Sequence, residues 1–211
     1  MLHTQTVAPA TLELLRSIQS KPYMNNFCLA GGTALALLYG HRKSIDIDLF
    51  TNTDFDTAWL LEKVQYDFSF QVDFVAQNTV KGSINSVKVD LIAHRYPNLA
   101  APLVLSGIRL LSEQDLIAMK LNAIPVSGQR SKDFIDIYYA LSRFSIEQML
   151  TFYKGKYSQH NDTHILKSLV FFDDIDLVDW PAILDNPNLS WAKVRKRIED
   201  AVLDFMNNDP K

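Results

Sequence analysis

The stretch FCLAGGTALALLYGHRKSIDIDLF, residues 27–50, decides the fold that we predict for this chain. It begins with a short apolar run, residues 27–30, which predicts a buried strand. A glycine pair ends that strand, and Thr33 begins an alanine- and leucine-rich helix that Gly40 ends. A polar loop then leads into a second strand. We therefore expect a strand, a tight turn, a helix and a strand in direct succession.

The second strand of this stretch, SIDIDLF at residues 44–50, carries different side chains on its two faces. Successive side chains of a strand point in opposite directions. The face expected to enter the core consists of Ile45, Ile47 and Leu49. The opposite face carries Asp46 and Asp48, whose carboxylates lie about 6–7 Å apart along the strand, close enough to share a divalent cation.

The composition is that of a globular protein from a reducing compartment. The 211 residues, 47% of them apolar, suffice for the core of one large domain or two small ones. A net charge of −3 provides no general attraction to nucleic acid or anionic membrane, so such contacts would need a local patch. Cys28 is the only cysteine, which excludes an internal disulfide. Because neither a signal peptide nor a membrane-spanning segment is recognisable, we expect a soluble, cytoplasmic protein without a membrane partner.

A surface helix and several strands are expected after the aspartate strand. Residues 52–65 predict the helix, and its candidate buried side chains are Trp59, Leu60 and Val64. From residue 67 onward, apolar residues recur at every second position, which predicts antiparallel strands. In the last of them, VKVDLIA at residues 87–93, Asp90 points away from the apolar side chains. Asp90 is therefore expected on a polar sheet face of the same kind as that of the two earlier aspartates.

Helices are expected in the second half of the chain. A capping box at residues 112–115 begins a helix that we expect to end near Ile124, because breakers follow it. These breakers are Pro125, Ser127 and Gly128. A helix beginning at Ser131 or Lys132 and a final helix after Ser190 enclose a looser region. The apolar stripes of these two helices are Phe134, Ile137, Tyr138 and Leu141, and Trp191, Val194, Ile198, Val202 and Phe205. We predict an α+β protein, with a mixed, mainly antiparallel sheet and its helices in residues 1–105 and a helical region in residues 106–211.

The glycine pair Gly31-Gly32 and the aspartates together predict a site for a triphosphate and a metal ion. Glycines between a strand and a helix let backbone N–H groups approach a phosphate, and the helix N-terminus carries positive potential. Asp46, Asp48 and Asp90 provide an all-oxygen site suited to Mg²⁺, which the triphosphate would complete. This combination is typical of phosphoryl or nucleotidyl transfer.

Each feature has a simpler interpretation when it is taken alone. A Gly-Gly pair before a helix is most often only a turn, and D-x-D on a strand is most often polar alternation on a solvent face. Their conjunction, with a third aspartate on a later strand, favours the catalytic interpretation. Other clusters are interpreted as structural. The acidic residues 173–176 predict a solvated loop, and His94, His160 and His164 form no zinc motif. The basic residues 193–197 predict a solvated helix face, with contact to RNA left open.

The chain resembles the nucleotidyltransferases of the polymerase-β superfamily, and most closely their AbiEii/AbiGii toxin branch. The resemblance covers about residues 27–143 and rests on ordered motifs. After the glycine pair and its helix, an R-x-[ST]-x-D-x-D element is matched by Arg42, Ser44, Asp46 and Asp48. A D-x4-K element is matched by Asp115 and Lys120, and a basic K/R-D-x-x-D helix by Lys132, Asp133 and Asp136 after Arg130.

The resemblance implies a nucleotidyltransferase palm in residues 1–105 and a helical region that completes its cleft. The residues implied to bind the nucleotide are Gly31, Gly32, Thr33, Arg42, Ser44, Lys120 and Asp136. The implied metal ligands, for Mg²⁺ or Mn²⁺, are Asp46, Asp48 and Asp90. Asp90 is also implied to deprotonate the acceptor hydroxyl, Lys120 to approach the triphosphate, and Asp136 to orient the acceptor, the nucleotide or Lys120.

Spacing on the helices limits the roles of two of these residues. Asp115 and Lys120 lie on different sides of a regular helix, so we expect Asp115 to cap it or to contact a neighbouring element. Asp133 and Asp136 share one face. The alternative for that face is a solvated set of ion pairs in which Lys132 pairs with Asp136.

The expected activity is transfer of an NMP from an NTP to an acceptor hydroxyl, with release of pyrophosphate. The resemblance implies the toxin of a bacterial toxin–antitoxin or phage-defence system, with tRNA or a protein as acceptor and an antitoxin as a further partner. Two alternatives stay open. One is a non-catalytic regulatory protein of the same fold that binds a nucleotide or a partner, and the other is a Mg²⁺-dependent phosphohydrolase.

Overall fold

The computed structural model describes residues 1–127, 130–159 and 161–208. The chain divides into two compact units, Met1–Ser112 and Glu113–Lys211. The predicted helix breaker Gly128 and His160 lie outside the described residues. Among the described residues, no helix is both long enough and apolar enough to span a bilayer.

The first unit is built on a seven-stranded sheet. In chain order its strands are β1 (Cys28–Leu29), β2 (Ile47–Thr51), β3 (Gln71–Ala76), β4 (Thr79–Ile84), β5 (Val87–Ala93), β6 (Leu103–Leu105) and β7 (Ile108–Leu110), and the spatial order is β3-β4-β5-β2-β1-β7-β6. The pairs β2–β5 and β1–β7 are parallel and the other four pairs are antiparallel. The mixed, mainly antiparallel sheet is thus confirmed. The predicted boundary at residues 105/106 falls in the turn between β6 and β7.

The faces of β2 follow the predicted alternation from Ile47 onward. Ile47 and Leu49 are fully buried, whereas Asp48 on the other face is half-buried. The prediction that Ile45 enters the core is wrong, since its side chain is 71% exposed. The reason is that the strand begins only at Ile47, so the period-two rule does not apply to the loop before it.

Three helices accompany this sheet: α1 (Pro9–Gln19), α2 (Gly31–Tyr39) and α3 (Thr57–Phe68). Gly40 ends α2 in the left-handed conformation, at φ +74°, as predicted. The start of α2 at Thr33 was predicted too late, because both glycines already belong to its first turn. In α3, Leu60 and Val64 are buried as expected, but Trp59 is 47% exposed. Asp56 caps this helix by accepting a hydrogen bond from the Trp59 backbone.

The second unit is helical. Its helices are α4 (Glu113–Ser127), α5 (Ser131–Ala140), α6 (Ile146–Tyr157), α7 (Thr163–Leu169) and α8 (Trp191–Asn208). The predicted end of α4 before Pro125 is wrong, because Pro125 lies in the last turn, where the loss of one backbone donor interrupts few helical residues. Helices α6 and α7 occupy the region expected to be looser. A capping box of Ser145 and Gln148 begins α6, and this S-x-x-Q signal was present in the sequence.

Candidate active site

A row of charged side chains crosses the centre of the sheet. Asp48 on β2 is paired in register with Asp90 on β5, and Asp90 with Lys81 on β4. Residues directly opposite one another on neighbouring strands place their side chains on the same face. Lys81 Nζ lies 3.2 Å from Asp90 Oδ2. The structure thus brings two of the predicted aspartates side by side and adds a lysine that sequence reasoning missed.

Asp90 is the most buried member of this row, with 6% of its surface exposed. Its Oδ1 atom is buried and makes no hydrogen bond, whereas Oδ2 contacts Lys81. A buried carboxylate oxygen without a partner is costly unless a ligand or an ion satisfies it. The polar alternation of β4, in which Thr79, Lys81 and Ser83 are half-exposed, was the sequence signal for Lys81.

The glycine pair makes room for two charged side chains. Gly31 has φ +66°, in the left-handed region that favours glycine, and a Cβ there would overlap Asp48 Oδ2. A Cβ on Gly32 would overlap Arg42 Nη2. The space beside the glycines, which we predicted for a phosphate, is therefore occupied by the Asp48 carboxylate and the Arg42 guanidinium. Both of them lie against the first turn of α2.

Thr33 joins the start of α2 to the loop before β2. Its hydroxyl lies 2.8 Å from Ser44 Oγ and donates a hydrogen bond to the Asp46 carbonyl. Only 1% of Thr33 is exposed. A direct contact of this hydroxyl with nucleotide phosphates does not fit its burial, and we assign Thr33 a positioning role instead. Its hydroxyl contacts hold the loop that contains Ser44 and Asp46.

The N-terminal segment supports the same loop. Ser44 N donates to the Thr6 carbonyl at 2.9 Å, and Lys43 Nζ donates to the Gln5 carbonyl. Arg42 is buried, and its Nη1 donates to the Lys43 carbonyl at 3.0 Å. The loop that carries the R-x-S-x-D-x-D element is therefore held from both sides, by α2 and by the turn at Thr4–Thr6.

A Thr33→Val variant tests the positioning role. The isosteric change removes the hydroxyl and leaves the Asp46 carbonyl without this donor, so we expect the free energy of unfolding to fall by about 0.5–1.5 kcal/mol. Urea denaturation measures the change. Thr33→Ser keeps the hydroxyl and serves as the control, with a smaller loss. Equal stability of Thr33→Val and the wild-type protein would contradict this role.

The carboxylates of this site suit a divalent cation such as Mg²⁺ only if substrate phosphates supply further ligands. Asp48 and Asp90 offer carboxylate oxygens in adjacent register, and Asp46 lies in the loop just before β2. Within residues 1–127, 130–159 and 161–208, no group of three or more histidine, cysteine, aspartate or glutamate side chains is placed to hold a metal ion. Mg²⁺ commonly binds through one or two carboxylates together with substrate phosphates. The residues present fit that mode rather than a closed protein cage.

A buried cluster in the second unit contains three other residues of the matched motifs. Lys120 Nζ lies 2.8 Å from Asp133 Oδ1 and 3.0 Å from Asp136 Oδ2. All three side chains are buried. The alternative of a solvated ion-pair face is therefore wrong for both aspartates, because Lys120 on α4 covers them. Their role toward a nucleotide stays a prediction.

Asp115 contacts a neighbouring helix, as its spacing from Lys120 predicted. Its Oδ1 accepts a hydrogen bond from Lys156 Nζ on α6 at 2.7 Å, and both residues are fully buried. Sequence reasoning missed Lys156. The signal was its position seven residues after Met149 on an otherwise apolar stripe, where a lysine has to be paired.

Structural roles fit the contacts of the acidic residues 173–176, of His164 and of the basic residues on α8. The side chains of Asp173, Asp174 and Asp176 are exposed. His164 bonds to the Tyr153 hydroxyl at 3.1 Å. On α8, Lys196 pairs with Asp200, which raises its pKa, and Arg195 pairs with Glu199 at 2.8 Å. These one-turn ion pairs are those of a solvated helix face.

Comparison with known families decides the class of protein. The family model described as "Nucleotidyl transferase AbiEii toxin, Type IV TA system" matches residues 13–106 and 63–206. The chain belongs to the AbiEii nucleotidyltransferase family. An uncharacterized protein of Aquifex aeolicus strain VF5 is 28% identical to this AbiEii-family chain over 202 residues, which cover 93% of the chain and 96% of the relative.

Solved structures share the fold of this AbiEii-family protein at low sequence identity. JHP933 from Helicobacter pylori superposes with a TM-score of 0.56 at 15% identity, over 95% of this chain and 94% of that one. The nucleotidyltransferase ANT(2″)-Ia, solved in complex with adenylyl-2″-tobramycin, superposes with a TM-score of 0.52 at 17% identity, over 68% of this chain and 95% of that one. The nucleotidyltransferase fold that the resemblance implied is thus confirmed.

Proposed function

We propose that this protein transfers an NMP from an NTP to an acceptor hydroxyl and releases pyrophosphate. The observation that carries the proposal is the row Asp48–Asp90–Lys81 next to the first turn of α2. A helix N-terminus favours phosphate groups, and the adjacent carboxylates supply oxygen ligands of the kind that a nucleotide-bound Mg²⁺ requires. Membership of a nucleotidyltransferase family supports the same reaction.

Each residue of the row has a separate task in this proposal. The acceptor oxygen attacks the α-phosphorus, its bond to that phosphorus forms, and the bond to the bridging oxygen of the leaving pyrophosphate breaks. We assign Asp90 to take the acceptor proton, the role that the resemblance implies for it. Lys81 holds Asp90 through Oδ2. Asp48 and Asp90 would hold Mg²⁺ or Mn²⁺ together with substrate phosphates, and the ion would stabilise negative charge on the transferring phosphoryl group. Asp46, in the loop before β2, stays a predicted third ligand.

The residues around the row position it. Gly31 gives Asp48 the space that its carboxylate occupies, and Gly32 does the same for Arg42. Thr33 and Ser44 hold the loop that carries Asp46. We propose that a nucleotide triphosphate binds at the exposed edge of this arrangement, with the backbone of the first turn of α2 nearest to its phosphates.

The family description also supports a role as the toxin of a toxin–antitoxin pair, with a cognate antitoxin as partner. NTPs and tRNA are cytoplasmic compounds, so we place the reaction in the cytoplasm. Growth arrest on expression that disappears with the activity would support the toxin role. Normal growth during expression of the active enzyme would contradict it.

Labelled nucleotides test the reaction. We expect an α-labelled NTP with Mg²⁺ or Mn²⁺ to label an RNA or a protein fraction of a cell extract, with release of unlabelled pyrophosphate. Comparing the four NTPs identifies the nucleotide, and comparing the fractions identifies the acceptor class. Release of orthophosphate from a γ-labelled NTP without a labelled macromolecule indicates a phosphohydrolase instead. Stabilisation by an NTP without release of either product indicates a binding protein.

A further inference from the structure

An aromatic ladder, defined as Phe50, His94 and Tyr96, begins beside the charged row. The ring centroids of Phe50 and His94 are 5.9 Å apart, and those of His94 and Tyr96 are 4.8 Å apart. The interplanar angles are 37° and 48°, so the two rings of each pair are tilted relative to one another. Phe50 is half-buried, whereas Tyr96 is 43% exposed. The ladder therefore leads from the sheet toward solvent.

The strand register places the inner end of the ladder next to the carboxylates. Phe50 is paired with Ile92, two residues further along β2 and β5 than the pair Asp48 and Asp90. Its side chain thus lies on the same face as theirs, about 6–7 Å further along the strand. The backbone continues this pairing, because His94 N donates to the Thr51 carbonyl at 2.7 Å. His94 lies four residues beyond Asp90, or about 13 Å in an extended chain.

The order of the strands assigns the ladder to the acceptor side. The glycine turn follows β1, which lies on one side of β2, whereas Asp90 lies on β5, on the other side, and the ladder residues His94 and Tyr96 follow that strand. In the proposed function, the triphosphate binds near the glycine turn and Asp90 receives the acceptor proton. The ladder extends from the strand of Asp90, away from the triphosphate, and this assignment rests on the proposed function.

The chemistry of the ladder fits a nucleobase. Arg95 lies between two ladder residues, its side chain is exposed, and its Nη1 atom is 3.5 Å from Asp54 Oδ1. A cavity of about 580 Å³ is lined by Ala93, His94, Arg95 and Tyr96. Aromatic and guanidinium planes stack with unpaired bases, and this contact needs no specific sequence. Because the chain has a net charge of −3, stacking supplies an attraction that its overall charge does not.

We propose that the aromatic ladder and Arg95 bind unpaired bases at the end of a single-stranded nucleic-acid acceptor, whose terminal hydroxyl reaches Asp90. Stacked nucleotides rise about 3.4 Å each, so the distance between Asp90 and His94 corresponds to a few nucleotides. A protein acceptor has no base to place there. The ladder therefore favours a nucleic acid over a protein as the acceptor.

Binding of a short, fluorescein-labelled single-stranded RNA oligomer, measured by anisotropy without NTP, tests this proposal. We expect Tyr96→Ala to weaken binding by about 5- to 150-fold, the range measured when a base-stacking aromatic residue is removed. Tyr66→Ala is the matched control, because Tyr66 is an exposed tyrosine on α3 in the same unit. It should bind the oligomer as the wild-type protein does.

An oligomer with abasic nucleotides at its 3′ end separates stacking from charge. The wild-type protein should bind this abasic oligomer more weakly than the normal one. Tyr96→Ala should weaken binding of the abasic oligomer only a little further, because the abasic nucleotides and the substitution remove the same contact. Equal affinities of wild type and Tyr96→Ala for the normal oligomer, or equal affinities of the wild type for both oligomers, would overturn the proposal. The proposal would also be overturned if the wild-type protein transferred NMP to a protein fraction and Tyr96→Ala did not change that transfer.

The two proposals fail in different ways. If the wild-type protein transfers no NMP but binds the oligomer through Tyr96, the proposed reaction is wrong and the ladder assignment stands. If the protein labels RNA while Tyr96→Ala binds the oligomer normally, the ladder assignment alone is wrong.

Discussion

Asp48→Asn is expected to lower NMP transfer by roughly 1,000-fold or more, because a metal ion at the transferring phosphoryl group contributes several kcal/mol and each ~1.36 kcal/mol is a factor of ten in rate. Asp48 is the end of the charged row nearest α2, and it lies between Asp90 and the first turn of that helix. Asparagine has the same shape, so it fits beside Gly31, but it lacks the negative charge that a divalent cation requires. The loss should appear mainly in kcat.

Transfer of label from an α-labelled NTP measures this effect, and thermal unfolding checks that the variant is folded. Asp73→Asn is a suitable control, because Asp73 is an exposed aspartate on β3 in the same unit. The control should keep wild-type activity. Full activity of Asp48→Asn with Mg²⁺ still required would contradict the assignment of Asp48 to the metal, although not the reaction itself.

Lys156→Met is expected to lower the free energy of unfolding by about 3–5 kcal/mol, because removal of one partner from a buried ion pair leaves the other charge in an apolar surrounding. Lys156 and Asp115 are fully buried, and their charged atoms are 2.7 Å apart. Methionine has a similar length and packs well, so the loss reports the charge rather than a cavity.

The same helix offers a matched control for this variant. Lys154 pairs with Asp162 at 3.2 Å, but its side chain is exposed. Lys154→Met should therefore cost less than about 1 kcal/mol. Urea denaturation measures both variants. A second change, Asp115→Leu in the Lys156→Met protein, should recover much of the loss because no buried charge is left. Similar losses for Lys154→Met and Lys156→Met would contradict the burial argument.

Local sequence patterns predicted the parts of the site that depend on one element only. Alternation predicted that Asp48 lies on the face of β2 opposite to that of Ile47 and Leu49, because the side-chain period of a strand is two wherever a strand forms. The same rule failed at Ile45, which precedes the strand. Gly40 ends α2 because the left-handed conformation favours glycine, and this preference is local as well.

Contacts between distant segments were beyond the reach of these patterns. Thr33 was predicted to meet a phosphate, but its hydroxyl is used by Ser44 and Asp46, residues of another segment. Asp133 was compatible with a solvated face until Lys120 on α4 was found to cover it. In each case the partner lies ten or more residues away, so no helical or strand period relates the two residues.

The amino-acid pattern alone established the strand, glycine turn, helix and D-x-D strand, the polar face of Asp90 and the resemblance to nucleotidyltransferases, because each depends on residue type and short spacing. Only the tertiary structure decided that β2 and β5 are parallel neighbours, which sets Asp48 beside Asp90 and Asp90 beside Lys81. Strand order and register result from the packing of the whole sheet, and a local period of two is the same for every order. The tertiary structure likewise decided that Lys156 meets Asp115, because burial in a shared core brought two helices together.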